Sequence, residues 1–257
     1  MSPVMIGLIG TLLFFVLMLL RMPIAYAMLI IGILGISLIN SPSAAFKVVP
    51  MELYATFSSY SLSVVPMFIW MGYIAYYSGI GSRLYDFVYK LIGHLPGGLA
   101  LATQGTAAVF GAICGSNTAT SATIGAISIP EMRKRGYNDS LATASVAAGG
   151  ILGVLIPPSV LFIIYGIATE QSIGKLFLSG LVPGILLTLL FMIAIAISVY
   201  RRPELAPRGQ RFTWRERFQA LRGAGLVEVI IVFGLSLGGL FLGWFTPTEA
   251  GAVGVAG

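Results

Sequence analysis

The sequence predicts an all-α polytopic membrane protein, and three observations support this fold class. First, 57% of the 257 residues are hydrophobic and 9% are charged, whereas roughly a quarter of an ordinary soluble domain is charged. Second, the mean hydropathy is +0.95. Third, the chain contains seven uncharged runs that each reach the ~20 residues of a membrane-spanning helix. These runs are Met1–Leu20, Met22–Phe46, Leu53–Ser82, Leu91–Pro130, Ser140–Thr169, Leu176–Tyr200 and Val229–Thr248.

The distribution of basic residues predicts the orientation of these runs. Residues 201–222 contain seven arginines against two glutamates, a net charge of +5 out of +6 for the whole chain. Because cytoplasmic loops are rich in Lys and Arg, we expect this stretch to be a cytoplasmic loop that can also contact anionic lipid headgroups. Counting the predicted membrane crossings back from this loop places both the N-terminus and Ser41–Glu52 on the periplasmic side. The amphipathic segment Ser82–Leu95 is then expected to lie along the inner membrane interface.

The fourth run is too long for a single span and carries small polar residues at its centre. Leu91–Pro130 has 40 residues and includes Gly111–Gly125, with Ser116–Thr118 in the middle. It is expected to form two full spans or a helical hairpin that enters and leaves on one face. Polar side chains at membrane depth need partners, so such a segment lies inside protein or lines a cavity. Its helix ends and oxygens suit a cation or an anionic substrate. Close packing through the small residues is the alternative, and it accounts poorly for Asn117.

The fifth run is interrupted by two consecutive prolines. Pro157 and Pro158 remove two backbone donors and push Ile156 out of the helical region, so the Ser140–Thr169 helix must break here. Backbone carbonyls of Gly153 to Ile156 are expected to be released at mid-membrane, where they can complete a cation site with the 116–118 tip. A proline kink filled by a neighbouring side chain is the alternative interpretation.

Two interrupted segments in one chain are typical of secondary transporters, whose folds commonly contain inverted repeats. The motif around Pro23 recurs around Pro247, an offset of 224 residues. The span before Pro23 is predicted to cross inward, whereas the span before Pro247 crosses outward. We therefore expect residues 223–257 to begin a second, inverted repeat, with the chain truncated soon after its start.

Several function classes are excluded by missing residues. The dipeptide Gly174-Lys175 lacks the spacing of a phosphate-binding loop, which argues against an ATP-driven pump. One histidine, His94, and one cysteine, Cys114, cannot form a redox-metal cluster, and neither a Ser–His pair nor a carboxylate pair is predicted inside the membrane. The basic residues concentrate in one loop, which does not favour a nucleic-acid partner. The sequence therefore predicts a secondary transporter that is not an enzyme.

Four motifs, in order, resemble a known family. They are Gly115-Ser-Asn-Thr-Ala-Thr120, Ile129-Pro-Glu-Met-Arg-Lys-Arg-Gly-Tyr137, Ile156-Pro-Pro-Ser159 with Ile164-Tyr-Gly166, and Phe245-Thr-Pro-Thr-Glu-Ala250. The sequence resembles the large membrane subunit of tripartite ATP-independent periplasmic (TRAP) transporters over essentially its full length. The resemblance implies sodium-coupled, elevator-type import of organic acids such as C4-dicarboxylates or sugar acids across the bacterial inner membrane. It also implies two protein partners, a small membrane subunit and a periplasmic substrate-binding protein.

The resemblance implies a division of the chain and a set of site residues. Residues 1–98 would form scaffold helices and the interfacial arm helix, and 99–200 the transport-domain elements, namely a re-entrant hairpin at 99–130, a broken helix at 140–169 and a helix at 176–200. Family members are longer, so the second hairpin and second sodium site have no counterpart here. The expected sodium ligands are Ser116, Asn117, Gly153, Ile156 and Pro157. The expected substrate contacts are Asn117, Thr118, Pro158 and Ser159.

Two other functions remain open from the sequence. A sodium-coupled carrier that binds its organic anion without a periplasmic protein would use the same hairpin. A structural subunit of a larger membrane complex would need the Pro and Gly breaks only for packing, and the polar Asn117 is the residue that separates this alternative from a transporter.

Overall fold

The computed structural model describes residues 2–207, 209–223 and 225–257, which form helices and connecting turns without a β-strand. The all-α prediction is therefore confirmed for this part of the chain. The chain folds as two compact units, Met1–Tyr60 and Ser61–Gly257.

The first unit contains three helices, α1 (Pro3–Leu19), α2 (Ile24–Ile39) and α3 (Pro42–Phe57). Helices α1 and α3 begin in the same way, because Ser2 and Ser41 accept hydrogen bonds from backbone N–H groups of the first turn and a proline follows each serine. Helices α1 and α2 each bury a single residue and expose long apolar side chains around most of their circumference. Such surfaces are typical of helices solvated by lipid.

Helix α3 is an element that the sequence analysis did not predict. The segment Ser41–Glu52 was expected only as an external connection, and it is helical through most of its length. Its Ser41-Pro42 start is a helix-initiation signal that was visible in the sequence. The apolar run predicted for Met22–Phe46 correspondingly ends as a helix at Ile39.

The second unit contains the remaining helices. They are α4 (Val64–Tyr77), α5 (Ile80–Ile92), α6 (Gly98–Cys114), α7 (Asn117–Lys134), α8 (Asp139–Leu155), α9 (Val160–Ala168), α10 (Ile173–Arg201), α11 (Trp214–Gly223), α12 (Leu226–Phe233), α13 (Gly239–Phe241) and α14 (Pro247–Ala256). A π-helical turn at Gly234–Gly238 joins α12 to α13. Helix α14 begins with a capping box in which Thr246 and Glu249 each bond the other's backbone N–H.

Helix α6 is the centre of the second unit. Fourteen of its seventeen residues are buried, and it packs against α4, α5, α7, α8 and α10. A helix that is apolar or small on all sides and covered on all sides is typical of a protein interior. The predicted hairpin segment therefore forms the core of this unit, and the lipid-facing apolar side chains lie on other helices such as α10.

Except for α10, the described helices that correspond to the uncharged runs are shorter than those runs. By length and composition, α10 is the one described helix that can cross a membrane unaided, and up to four spans result if each of three bent helix pairs counts as one. Helices α1, α2 and α6 are apolar but have 16 or 17 residues. Helices α8 and α9 form one of the bent pairs, with an angle of 40° between them.

Helices α6 and α7 form an antiparallel hairpin, as contacts with α8 establish. Along α6, Gln104 meets Ser145 and Gly111 meets Gly153, so α6 and α8 run in the same direction. Along α7, Thr120 meets Gly153 and Gly125 meets Val146, so α7 and α8 run in opposite directions. Because α6 and α7 flank one helix in opposite senses, they are antiparallel to each other.

Two buried tyrosines tie the open end of this hairpin to its surroundings. The Leu99 backbone N–H donates to the Tyr137 hydroxyl at 3.2 Å, and the Tyr85 hydroxyl donates to the Leu99 carbonyl at 3.4 Å. Burial raises the pKa of both phenols, so they stay neutral over the physiological range. The first turn of α6 is thereby fixed to α5 and to the α7–α8 loop.

Candidate functional site

The tip of the hairpin is a two-residue break between α6 and α7. Gly115 ends α6 with a left-handed backbone, φ +62°, which a glycine adopts without strain. Ser116 then starts α7 as its N-cap, and its hydroxyl accepts from the Ala119 N–H at 3.4 Å. The same hydroxyl lies 3.2 Å from the Thr118 hydroxyl. The tip thus presents several small oxygens at a sharp turn.

The second break lies between α8 and α9. Helix α8 ends at Leu155, and Ile156 has an extended backbone. Because Pro157 and Pro158 have no N–H, the carbonyls of Gly153 and Val154 have no intrahelical donor. Residues 156–159 are all buried, so these carbonyls end a helix inside the protein.

The two breaks meet. The Val160 N–H at the start of α9 donates to the Gly115 carbonyl at 3.4 Å. A Cβ built on Gly115 would lie 2.6 Å from the Pro158 carbonyl oxygen, and one built on Gly153 would lie 3.1 Å from the Ser116 carbonyl oxygen. The carbonyl end of α8 and the hairpin tip therefore touch backbone to backbone.

Glycines make this approach possible. A Cβ on Gly111 would lie 2.6 Å from the Gly153 Cα, so α6 and α8 pack at the distance that only glycine allows. A Cβ on Gly150 would lie 2.5 Å from the Asn117 amide oxygen and would collide with the Ser121 hydroxyl. The close packing through small residues that the sequence analysis kept as an alternative is thus present at Gly111. Its packing partner is Gly153 of α8.

The Asn117 side chain is held by α7 itself. Its amide oxygen accepts a hydrogen bond from the Ser121 hydroxyl, one turn further on, at 3.1 Å. The Asn117 side chain is exposed on the surface of the hairpin tip. Asn117 is therefore oriented by a neighbour and still open to a ligand.

A cavity of about 660 Å³ lies against the tip. Residues 114–119 form its floor, and α4 supplies one wall with Tyr73, Tyr76 and Tyr77. Val154, Val160 and Leu161, which flank the second break, complete it. The volume is in the range of sites for small molecules, which are mostly apolar with a few convergent polar groups.

The predicted sodium ligands lie close together at the contact between the two breaks. The predicted substrate contacts lie in two different places. Asn117 and Thr118 line the cavity, whereas Pro158 and Ser159 lie behind it and are buried. The Ile156 side chain packs with Ala112 and Leu152 in a small apolar cluster. Only main-chain atoms of residues 156 and 157 are therefore suited to contact an ion.

Thr120 is a residue of the site that the sequence analysis missed, and it resembles the predicted Ser159 in its surroundings. Thr120 and Ser159 are fully buried, and their hydroxyl oxygens have no hydrogen-bond partner among the described residues. A Cβ on Gly153 would lie 2.5 Å from the Thr120 Oγ1, which places this hydroxyl beside the freed carbonyl end of α8. Thr120 stands in the quoted tip motif, but its side-chain direction cannot be read without the helix phase.

Two further groups had weaker signals in the sequence. Gln104 is fully buried, and its amide donates to the Ser145 carbonyl at 2.6 Å, which links α6 to α8 below the tip. A carboxamide inside an apolar run was visible as an unusual residue. The α4 tyrosines belong to the apolar run Leu53–Ser82, and nothing in the sequence indicated that they line a cavity.

The electrostatics of the two helix ends are opposite. The first-turn N–H groups of Asn117 and Thr118 have no backbone acceptor in the described part of the chain, and they give the start of α7 a partial positive charge. The end of α8 presents carbonyl oxygens and a partial negative charge. The oxygens at the tip are carbonyl, hydroxyl and amide groups, all neutral, so the arrangement can bind a cation of low charge beside an anion.

The fold and this site define a helical membrane protein whose core is built from a hairpin and an interrupted helix. The family described as Tripartite ATP-independent periplasmic transporter, DctM component, matches residues 11–257. The chain belongs to this family, which confirms the resemblance noted in the sequence. Members of the family are membrane-embedded transporter permease subunits and are not enzymes.

Three curated relatives illustrate the similarity. The chain is 39% identical over 218 residues to the C4-dicarboxylate TRAP transporter large permease protein DctM of Pseudomonas aeruginosa, covering 84% of this chain and 49% of that protein. It is 35% identical over 240 residues to the ectoine TRAP transporter large permease protein TeaC of Halomonas elongata, covering 92% and 54%. It is 32% identical over 235 residues to the sialic acid TRAP transporter large permease protein SiaM of Vibrio cholerae, covering 90% and 53%. The chain spans about half the length of these relatives.

Proposed function

We propose that this chain supplies the hairpin and the interrupted helix of a sodium-coupled importer of small organic acids. The observation that carries the proposal is the contact between the proline-freed carbonyl end of α8 and the Gly115–Ser116 tip. Such a junction of two broken segments leaves backbone groups unpaired inside a membrane protein, and an ion can satisfy them.

The proposed sodium site combines main-chain and side-chain oxygens. The carbonyls of Gly153, Ile156 and Pro157 provide one half, and Ser116 with Asn117 provides the other. Neutral oxygen ligands suit a hard monovalent cation, because a full carboxylate set would favour a divalent ion instead. Thr120 is added to this set, since its buried hydroxyl lies beside Gly153 and lacks a partner among the described residues.

The proposed substrate position is the start of α7. The N–H groups there favour an anion, and the adjacent cavity of about 660 Å³ offers space for the remainder of the molecule. Asn117 and Thr118 would contact the substrate directly, with Pro158 and Ser159 supporting them from behind. The names of the relatives include C4-dicarboxylate, ectoine and sialic acid, all of which contain a carboxylate. C4-dicarboxylates or sugar acids are the substrates we propose to test first.

The proposal extends to partners and movement. A small membrane subunit would hold the permease, and a periplasmic binding protein would deliver the substrate at the bacterial inner membrane, with the chain's N-terminus on the periplasmic side. The α6–α7 hairpin would be re-entrant, and residues 99–200 would move as the transport domain of an elevator against helices of residues 1–98. Residues 223–257 would begin the inverted repeat.

Uptake into proteoliposomes tests this function. The complete permease that contains this chain is reconstituted with its small subunit, and labelled C4-dicarboxylates and sugar acids are supplied outside. A sodium gradient and the cognate binding protein are added separately and together, with a potassium gradient as the control for ionic strength and membrane potential.

The proposal expects uptake only when sodium and the binding protein are both present. Uptake with sodium alone would identify a direct sodium–organic anion symporter. Absence of uptake for every substrate, together with normal assembly, would contradict the proposal and favour a structural subunit of a membrane complex.

A further inference from the structure

Helix α11 lies close to the place where the chain enters the apolar layer. It ends at Gly223, and the apolar helix α12 begins at Leu226. An extended chain advances at most ~3.6 Å per residue, so the end of α11 is within about 11 Å of α12. A helix of ten residues in this position lies at the membrane surface if α12 crosses the membrane.

One side of α11 is covered by protein. Ala220 is buried and Leu221 is half-buried, and the helix packs against α5. Just before α11, the Phe212 ring packs edge-on against Tyr89 of α5, with ring centroids 5.5 Å apart. The helix is therefore fixed to the second unit and is not a free segment of the loop.

The opposite side carries two large aromatic rings and two arginines. At 100° per residue, Trp214, Phe218 and Arg222 form one row, and Arg215 lies beside that row. We call these four residues the α11 outer face. Trp214 is 71% exposed and Phe218 is 63% exposed.

The charge of the α11 outer face is not balanced by the acid of the same helix. The Glu216 carboxylate points back to the start of α11, where it accepts hydrogen bonds from the Thr213 N–H and hydroxyl, both at 2.7 Å. Arg215 and Arg222 are exposed and make no ion pair with another described residue. Arg217 lies on the covered side, with its guanidinium carbon 5.0 Å from the centre of the Trp214 ring.

We propose that the α11 outer face is a binding surface for anionic phospholipids of the cytoplasmic leaflet. Trp214 and Phe218 would enter the headgroup region, where aromatic rings are favoured, and Arg215 with Arg222 would contact lipid phosphates. Anionic headgroups match both the sign of the charge and the position of the helix next to α12. The loop between α10 and α12 would then be attached to the membrane and not free in the cytoplasm.

Quenching of Trp214 fluorescence by brominated lipids tests the proposal. The complete permease is reconstituted in two kinds of phosphatidylcholine vesicle. The first kind contains brominated phosphatidylglycerol. The second contains brominated phosphatidylcholine at the same mole fraction and no phosphatidylglycerol. The difference between wild type and Trp214→Phe isolates the emission of this residue from that of Trp70 and Trp244. Circular dichroism confirms that each variant is folded.

Two charge variants give the matched comparison. Arg215→Gln/Arg222→Gln removes the two arginines of the outer face, and Arg201→Gln/Arg202→Gln removes two exposed arginines from the same loop outside α11. Each arginine near an anionic surface contributes roughly a fivefold gain in binding. We expect strong quenching by brominated phosphatidylglycerol, a loss of most of it in the first variant and retention in the second.

Three results would overturn the proposal. The Trp214 emission could be insensitive to both brominated lipids, or it could be quenched equally by the neutral and the anionic lipid. It could also stay unquenched in vesicles and shift only when the small membrane subunit is added, which would make the α11 outer face a protein interface.

Discussion

At the scale of single residues, Gly115 is where backbone geometry is most demanding. It combines a left-handed backbone with a carbonyl oxygen from Pro158 at the position a side chain would occupy. Gly136 has a similar backbone, φ +76°, but nothing within 4 Å of its Cβ position. The two glycines therefore differ in the contact and not in the dihedral angle.

We predict that Gly115→Ala lowers the thermal unfolding temperature of the permease more than Gly136→Ala does. Both substitutions carry the cost of a left-handed alanine, about 1 kcal/mol. Only Gly115→Ala adds an overpacking cost, typically about 1–3 kcal/mol. Equal shifts in unfolding temperature for the two variants would mean that the tip and the second break are not in contact.

The amide of Asn117 gives a second prediction at this scale. Asn117→Ala should raise the sodium concentration for half-maximal uptake by roughly tenfold or more, because a polar contact to a charged group contributes about 1.5–3 kcal/mol. Expression and assembly should be unchanged, since the side chain is exposed. Asn40→Ala, which removes an exposed asparagine of the first unit, is the control. Unchanged sodium activation in Asn117→Ala would remove this residue from the site.

Residue types and residue positions were predictable to different degrees. Asn117, Pro157 and Pro158 stand out in an apolar sequence because each breaks a rule of membrane helices. Thr120 and Tyr73 do not, since threonine and tyrosine are ordinary in such helices. Their roles depend on the rotation of α7 and α4 against neighbours, and that rotation is set by packing contacts far away in the sequence.

At the scale of elements, the break between α8 and α9 results from two prolines, which lack the N–H groups that would continue the helix. The double variant Pro157→Ala/Pro158→Ala would return donors to the carbonyls of Gly153 and Val154, so the Gly153 carbonyl, a proposed sodium ligand, would bond within the helix and not to an ion. We predict that the sodium concentration for half-maximal uptake rises by roughly tenfold or more, because a lost contact to a charged group costs about 1.5–3 kcal/mol.

A proline elsewhere provides the control for this variant. Pro50 lies inside α3 and belongs to the first unit, whereas both breaks belong to the second, so Pro50→Ala should leave sodium activation unchanged. If the double variant activates at the wild-type sodium concentration, the freed carbonyls are not ligands and the break serves packing alone.

The open end of the hairpin gives a prediction about stability. Tyr137→Phe removes the hydroxyl that accepts from the buried Leu99 N–H, and leaving a buried donor unpaired costs about 1–3 kcal/mol. The unfolding temperature should fall, whereas Tyr200→Phe, at an 85% exposed position, should have no effect. Equal unfolding temperatures for wild type and Tyr137→Phe would show that water or another group satisfies this N–H.

The order of elements was largely predictable, and their ends were not. The hairpin expected at 99–130 is observed as Gly98–Cys114 and Asn117–Lys134, and the broken helix expected at 140–169 as Asp139–Leu155 and Val160–Ala168. Glycine and proline fix these breaks locally. Helix α3 was missed because its charged and polar residues reduce its hydropathy, although its capping residues were present.

At the scale of the whole molecule, family membership joins this half-length chain to permeases whose names contain several different substrates. A shared architecture with varied cargo is consistent with a constant ion-binding core and a variable cavity. In this chain the proposed ion-binding core is the contact of the hairpin tip with the α8 end, and α4 supplies one wall of the cavity. The central claim is that the contact forms a sodium site.

The most direct test of that claim is the unfolding temperature of the complete permease in sodium chloride compared with choline chloride at equal ionic strength. An ion that binds only the folded state stabilises it in proportion to the logarithm of its concentration above the dissociation constant. We predict that sodium raises the unfolding temperature of wild type, Asn40→Ala and Pro50→Ala, and that the rise is lost in Asn117→Ala and Pro157→Ala/Pro158→Ala. A sodium-induced rise of the same size in all five proteins would contradict the account.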